Sequence, residues 1–389
     1  MPCLSRSAIS RSARISTVVL LGLAGSLTFG CKATLGPTTV PQARFDYNRA
    51  VARSWDEQLL LNLVRLRYRD TPHFLELSSV VAQYSRSGSA GFSPLLIEGG
   101  GNEAVLGVDV EVYERPTLTL TPLEGKEFVQ RLLKPLAPTD LVLLSQAGWS
   151  IFRLMQCCVQ EVLGPDGRAV RNAMRAAGPT PVLLRRDEYE EFQILSRRLR
   201  DLQVAGTLRA TIEARPATSG GVSEATEEEK VYLSLKETPE TAEDLAFVRE
   251  TLGLDPETSL YRLVSHRAPS RGEVSVVGRS LMSVLFFLSQ AVEAPEEDVT
   301  GQRVTVTRDD DGQPLDWIQV TGDLLRIRYA RARPENASIA IQYRSGWFYI
   351  DDSDLQSKST FLLLSQLFSL QAGSSDGRSP LLTVSAGGG

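Results

Sequence analysis

The sequence predicts an α+β protein. Helical periodicity and strand-like alternation follow one another along the chain without a steady strand–helix–strand rhythm. A second observation is the long alternating segment 80–121, which predicts a β-hairpin. The third is size, because 389 residues with 42% hydrophobic content can bury a large core without disulfides or metals.

Several segments have helical periodicity. Ser54 and Glu57 have the spacing of a capping box, and Ser353 and Gln356 repeat it before a helix that should end at Gly373. The other predicted helices are 123–134, 139–163, 185–204, 240–252 and 279–292. Strands are expected at 74–84, 207–213, 230–235, 259–265, 324–330 and 338–350, and a further hairpin, 303–307 with 315–320, around Asp309–Asp311.

The segment 80–121 contains two alternating runs. Apolar or small residues from Ala82 to Phe92 alternate with polar ones, and the pattern resumes from Ala104 to Val112 after Gly99-Gly100-Gly101. Such a hairpin either packs on the body or inserts in a membrane as part of an oligomeric barrel, an architecture similar to that of curli-type secretion lipoproteins. Arg86 interrupts the apolar face and counts against insertion.

The amino terminus has the pattern of an export signal. Arg6, Arg11 and Arg14 precede an apolar run from Ile15 to Phe29, which is short for a membrane span. The run ends in Leu27-Thr28-Phe29-Gly30-Cys31, which resembles the lipobox of bacterial lipoproteins, although Thr28 and Phe29 depart from the usual residues. The resemblance implies lipidation at Cys31 and a membrane anchor. Lys32, rather than aspartate, then implies retention in the outer membrane with a periplasm-facing body.

The predicted organisation follows from these signals. Residues 1–30 are the signal peptide, 31–45 a lipidated tether, 46–215 an amino-terminal α+β domain and 230–389 a carboxyl-terminal α+β domain. The Gly/Ser/Glu-rich residues 216–229 form a linker or long loop. The phrases around Leu59–Leu77, Pro116–Pro138, Arg279–Val292 and Trp347–Gly373 also resemble an uncharacterised family of bacterial envelope proteins, which brings no established activity or site residues.

Charge and composition exclude some classes of function. The chain carries 42 basic and 47 acidic residues, and removal of the three signal arginines leaves 39 against 47, a net charge of −8. An acidic body argues against nucleic-acid binding and against lying on an anionic membrane surface. Two histidines, His73 and His266, and four cysteines offer little for imidazole catalysis or zinc.

Four groups of residues could still carry chemistry. Adjacent Cys157 and Cys158 are either buried thiols or a redox or metal-responsive pair, since a vicinal disulfide would be strained. Asp309–Asp311 fit a turn better than a calcium loop. Asp351, Asp352 and Asp354 either cap a helix or act as paired carboxylates, and Gly99–Gly101 lack the Lys-Ser/Thr of a phosphate loop.

The sequence thus predicts a non-catalytic outer-membrane lipoprotein that acts as a structural or interaction component of an envelope complex. Its partners would be other envelope proteins or further copies of itself, with no cofactor, metal or nucleic acid. One alternative is a subunit of an oligomeric export pore built from the 80–121 hairpins. Another is a periplasmic sugar or peptidoglycan hydrolase that uses the carboxylates of Asp351–Asp354.

Overall fold

A computed structural model describes residues 40–95, 103–172, 174–176, 182–183, 186–213, 230–308, 312–372 and 382–385. The chain divides into two units, Met1–Ser54 and Trp55–Gly389. Of the first unit, the described residues form the amino-terminal part of helix α1, and every contact discussed below lies within the second.

Helices and antiparallel or mixed sheets together confirm the α+β class. The helices are α1 Val40–Arg67, α2 Lys126–Leu133, α3 Pro138–Gln146, α4 Ile151–Cys158, α5 Arg186–Val204, α6 Ala242–Leu252, α7 Leu281–Ser289, α8 Glu296–Thr300, α9 Ile318–Thr321 and α10 Leu355–Ala372. The strands are β1 Leu75–Leu95, β2 Glu103–Pro122, β3 Val159–Leu163, β4 Ala169–Arg171, β5 Met174–Ala176, β6 Val182–Leu183, β7 Leu208–Glu213, β8 Lys230–Leu235, β9 Leu260–Val264, β10 Glu273–Gly278, β11 Arg328–Ala330, β12 Ala337–Tyr343, β13 Gly346–Asp351 and β14 Leu382–Ser385.

The largest sheet has the order β4-β3-β10-β9-β8-β7, in which only β9 and β10 run parallel. Helices α5 and α6 pack on it and contribute buried residues such as Phe192, Leu195 and Val248 to one hydrophobic core. This core is formed by amphipathic helices covering the apolar face of the sheet.

A second core surrounds helix α7, whose sequence is apolar on nearly every side. Helices α1 and α10 pack around it, and the antiparallel sheet β11-β13-β12 contributes Phe348 and Ile350. Ser280 caps α7, since its hydroxyl accepts the Ser283 N–H at 3.2 Å. The second core therefore joins elements from both sides of residues 216–229.

The structure corrects several predicted elements near the amino terminus. Helix α1 begins at Val40, so residues 40–45 of the predicted tether are helical, and Ser54 lies inside the helix rather than at its N-cap. Pro41 suits the first turn, where its missing N–H costs nothing.

The predicted helix 139–163 is instead α3, α4 and β3, because Gly148 adopts φ 97° and ends the first segment.

Three predictions near the carboxyl terminus are also wrong in detail. The single strand expected at 338–350 is two antiparallel strands, β12 and β13. Residues 315–320 are not a strand: Asp316 Oδ1 accepts the Ile318 N–H at 3.0 Å, and helix α9 begins there. The Ser353–Gln356 capping box is displaced by one residue, since Asp354 Oδ1 accepts the Ser357 N–H at 3.0 Å ahead of α10.

Candidate functional site

The β1–β2 hairpin is the candidate functional site, because it belongs to a sheet separate from the two sheets that contribute to the hydrophobic cores. Its antiparallel register runs from Leu75 opposite Pro122 to Leu95 opposite Glu103, with one shift between Leu77 and Ser79. The predicted hairpin is therefore confirmed, and its strands of 21 and 20 residues are about twice as long as the alternation indicated.

Beyond its base the hairpin is a two-stranded ribbon. Within the described residues, the only outside strand that pairs with it is β14, which lies along Thr117–Leu120 of β2. In the described part of the chain, residues 82–95 pair only with residues 103–116, and they span about 45 Å at about 3.3 Å per residue. An isolated two-stranded ribbon is marginally stable in water, and its open edges favour pairing with another chain.

The register brings the alternating patterns of the two strands together. Directly opposed residues of an antiparallel pair belong to the same face. One face therefore carries the apolar pairs Gly88–Val110, Ala90–Val108, Phe92–Leu106 and Pro94–Ala104, and the other carries the polar pairs Ser87–Glu111 and Ser89–Asp109. We call the four apolar pairs the apolar band.

The apolar band is short. It covers residues 88–94 of β1, which is about 23 Å of strand at about 3.3 Å per residue. Transmembrane strands usually need about 9–11 residues, and their tilt shortens the height that each residue covers. The next pair toward the body is Arg86 opposite Val112, which places a cation at the end of the band. This length suits a docking face better than a membrane span.

Two amide side chains of helix α1 hold the start of the hairpin. Asn62 donates through Nδ2 to the His73 carbonyl at 2.7 Å and accepts the His73 N–H at 2.9 Å. Gln58, one helical turn earlier, makes the same pair of bonds with Leu75, at 3.1 and 2.7 Å. Residues 73 and 75 face the same edge of an extended chain, so the two amides substitute for a neighbouring strand.

Asn62 is fully buried, so we expect Asn62→Asp to lower the free energy of unfolding by roughly 3 kcal/mol. A carboxylate cannot donate a hydrogen bond to the His73 carbonyl. Its negatively charged oxygen would instead repel the carbonyl oxygen that Asn62 Nδ2 now binds. Urea denaturation of full-length protein measures the effect. The matched control is Gln58→Glu, the same change at a more exposed position, which should cost under about 1 kcal/mol. Equal losses in both variants would contradict the anchoring role of Asn62.

The cysteines and histidines predicted from the sequence lie apart. Cys157 and Cys158 are free, buried thiols in the last turn of α4, and burial raises the pKa of Cys157 to about 12 and that of Cys158 well above its ordinary value. The predicted buried-thiol interpretation is thus confirmed. His73 lies at the base of the hairpin, and His266 Nε2 lies 3.8 Å from Glu273 Oε2.

The three carboxylates after β13 act locally. Asp351 Oδ1 accepts the N–H and hydroxyl of Ser353 at 3.0 and 2.6 Å, and these bonds lower the pKa of Asp351. Asp352 pairs with Lys358 at 2.7 Å. Asp354 caps α10 and also accepts the Ser357 hydroxyl at 2.7 Å. Each carboxylate therefore has its own partner around the start of one helix, as the capping interpretation predicted.

Other predicted positions lie outside the described residues. These are Cys31, Gly99–Gly101 and Asp309–Asp311. In the part of the chain that is described, no group of three or more His, Cys, Asp or Glu side chains is arranged to hold a metal ion. No described helix is both long and apolar enough to cross a membrane.

No protein-family model matches this chain, and comparison with curated proteins and with solved structures found no match. The ribbon, its register and its anchorage are therefore the observations on which a function can be built.

The amides of Gln58 and Asn62 were missed in the sequence, where their spacing of four residues on one helix was the available signal.

Proposed function

We propose that the protein is a lipid-anchored, non-catalytic component of a bacterial envelope complex, and that the hairpin is the surface through which it binds a protein partner. The observation that carries this proposal is the register of β1 and β2, which aligns two alternating sequences into a ribbon with one apolar face. A strand edge that no other described strand pairs with favours addition of a strand from a partner, and an apolar face of such a ribbon suits a protein contact. The export signal and the lipobox at Cys31 support an envelope location.

The experiment compares the two faces of the ribbon. A photo-crosslinking amino acid replaces Ala90 on the apolar face or Ser89, its sequence neighbour on the polar face, in cells that express the full chain. We expect a discrete adduct of higher mass from Ala90 and little from Ser89, and we expect Val108→Asp, opposite Ala90, to abolish it. Equal adducts from both positions, or none from Ala90, would contradict the proposal.

The anchor is tested separately. Cys31→Ala should abolish incorporation of labelled palmitate and move the body from the membrane fraction to the soluble fraction. Cys3→Ala, which removes the other amino-terminal cysteine, is the matched control and should leave both properties unchanged. Membrane retention of Cys31→Ala without label would show that lipid is not the sole anchor.

A second candidate function is a subunit of an oligomeric export pore. No other described strand pairs with residues 82–95 or 103–116, which favours it, because pairing of β1 with β2 of a neighbouring copy would close these edges into a barrel. The seven-residue length of the apolar band counts against it. Electron microscopy of detergent-solubilised protein decides between the two functions. A pore requires ring-shaped oligomers, and a strictly monomeric protein would rule the pore out.

A further inference from the structure

A pocket of about 220 Å³ lies beside the carboxyl end of helix α1. Arg67 and Trp317 are among the residues that line it. The remaining wall is largely apolar, with Val299, Leu315 and Ile318. Such a shape, with apolar walls and a few polar groups, is typical of small-ligand sites.

Arg67 is buried without a carboxylate partner among the described residues. It is 9% exposed, and its Nη1 donates to the Gln290 side-chain oxygen at 2.9 Å and to the Thr305 carbonyl at 2.7 Å. Both acceptors are neutral, and the buried Nε has no hydrogen-bond partner in the described part of the chain. Burial lowers the pKa of Arg67 to about 10, which leaves it charged at neutral pH. A buried guanidinium is usually compensated by an anion.

The two acidic residues of the pocket already have partners. Glu293 accepts a hydrogen bond from Arg326 Nε, and Asp316 accepts the Ile318 N–H. Neither forms an ion pair with Arg67. Their negative charges nevertheless disfavour a dianion more strongly than a monoanion in the same space.

We propose that this pocket binds a small molecule with a carboxylate and a short branched apolar group. The carboxylate would lie against the guanidinium of Arg67, which offers the planar donors that a carboxylate matches. The apolar group would pack on Leu315 and Ile318. This site is independent of the hairpin and of the function proposed for it.

Titration of the full-length protein with 4-methylpentanoate, followed by calorimetry, tests the proposal. We expect saturable binding of one equivalent. The neutral analogue 4-methylpentanamide and inorganic phosphate should each bind at least about tenfold more weakly, because the first lacks the charge and the second lacks the apolar group. Absence of saturable binding by 4-methylpentanoate, or equal binding of the amide or of phosphate, would overturn the proposal.

Two variants locate the binding. Arg67→Gln removes the charge, and Ile318→Glu adds a negative charge at a side chain that is 45% exposed and leaves Arg67 in place. Each should weaken 4-methylpentanoate binding at least about tenfold. Arg271→Gln, which removes an arginine 89% exposed elsewhere, is the control and should bind as wild type does. If Arg67→Gln unfolds, Ile318→Glu is decisive, and unchanged binding by Ile318→Glu would place the ligand elsewhere and overturn the proposal.

Discussion

Replacing Arg279 by alanine is expected to lower the free energy of unfolding by about 3–5 kcal/mol. Arg279 is 1% exposed and donates through Nη1 to the carbonyls of Gln156 and Cys157 at 3.0 and 3.1 Å. These carbonyls belong to the last turn of α4, where partial negative charge favours a cation. The guanidinium carbon also lies 4.2 Å from the centre of the Phe287 ring.

Alanine would remove all of these contacts at once. It would remove the side-chain donor of the Cys157 carbonyl, whereas the Gln156 carbonyl would keep its bond from Asn172 Nδ2, and it would open a cavity beside α7. Burying the charged guanidinium also costs free energy, and alanine would remove that cost, which reduces the net loss of stability. The same burial lowers the pKa of Arg279 to about 10. Because the side chain stays charged at neutral pH, the hydrogen bonds and the ring contact must offset that cost in the native protein.

Urea denaturation at neutral pH measures the effect. Arg279→Met fills most of the same volume without donating, so its loss relative to wild type isolates the hydrogen bonds and the charge from the cavity. Arg271→Ala is the control, because that side chain is 89% exposed and should change stability by less than about 0.5 kcal/mol. A loss below about 1 kcal/mol for Arg279→Ala would show that Arg279 is not a structural clamp.

Local patterns in the sequence predicted much of the secondary structure. Helices α5 and α6 and strands β7 to β9 lie within a few residues of their predicted bounds, because each has a clear period and ends at a turn signal. The prediction of a single helix over 139–163 was wrong for the opposite reason. Its apolar residues suit a buried helix and a buried strand equally well, and the pairing of β3 with β10, more than 100 residues away, decided between them.

The residues of the two candidate sites, and the buried Arg279, were harder to predict. Arg67 contacts Gln290 across 223 positions of sequence, and neither residue has a local pattern that marks it. The sequence marks Arg279 only as the start of an apolar helix, although its side chain donates to two carbonyls at the end of α4. The alternation of the hairpin was visible, but the register that aligns the two apolar runs is a property of the pairing between the strands. Gln58 and Asn62 hold the start of β1 from another element, which a local pattern does not reveal.

The two adjacent thiols should make the protein sensitive to alkaline pH. Burial raises the pKa of Cys157 from 9.0 to about 12, with partial opposition from Arg153 and Arg279, and the neighbouring thiol raises the pKa of Cys158 further. The folded protein therefore holds two protons that the unfolded chain releases near pH 9. Stability from these groups is complete below the unfolded pKa and is lost as the pH rises toward the folded pKa.

Between pH 8 and pH 10 we expect the free energy of unfolding to fall by about 2–3 kcal/mol, since each thiol contributes about 1.4 kcal/mol over that range. Burial also lowers the pKa of Arg67 and Arg279 to about 10 and raises the pKa of Tyr68 and Tyr189. Titration of these side chains changes the free energy of unfolding mainly above pH 10, and the arginines and tyrosines change it in opposite directions. Urea titrations across this range, under reducing conditions, measure the slope.

The control is the double variant Cys157→Ala with Cys158→Ala. Its stability at pH 8 should be lower, because two buried side chains become smaller, but its free energy of unfolding should change little between pH 8 and pH 10. The slope rather than the absolute stability is the diagnostic quantity, since a cavity affects every pH equally while a buried thiol acts only where the unfolded chain ionises. A double variant that keeps the wild-type slope would assign the alkaline sensitivity to other groups.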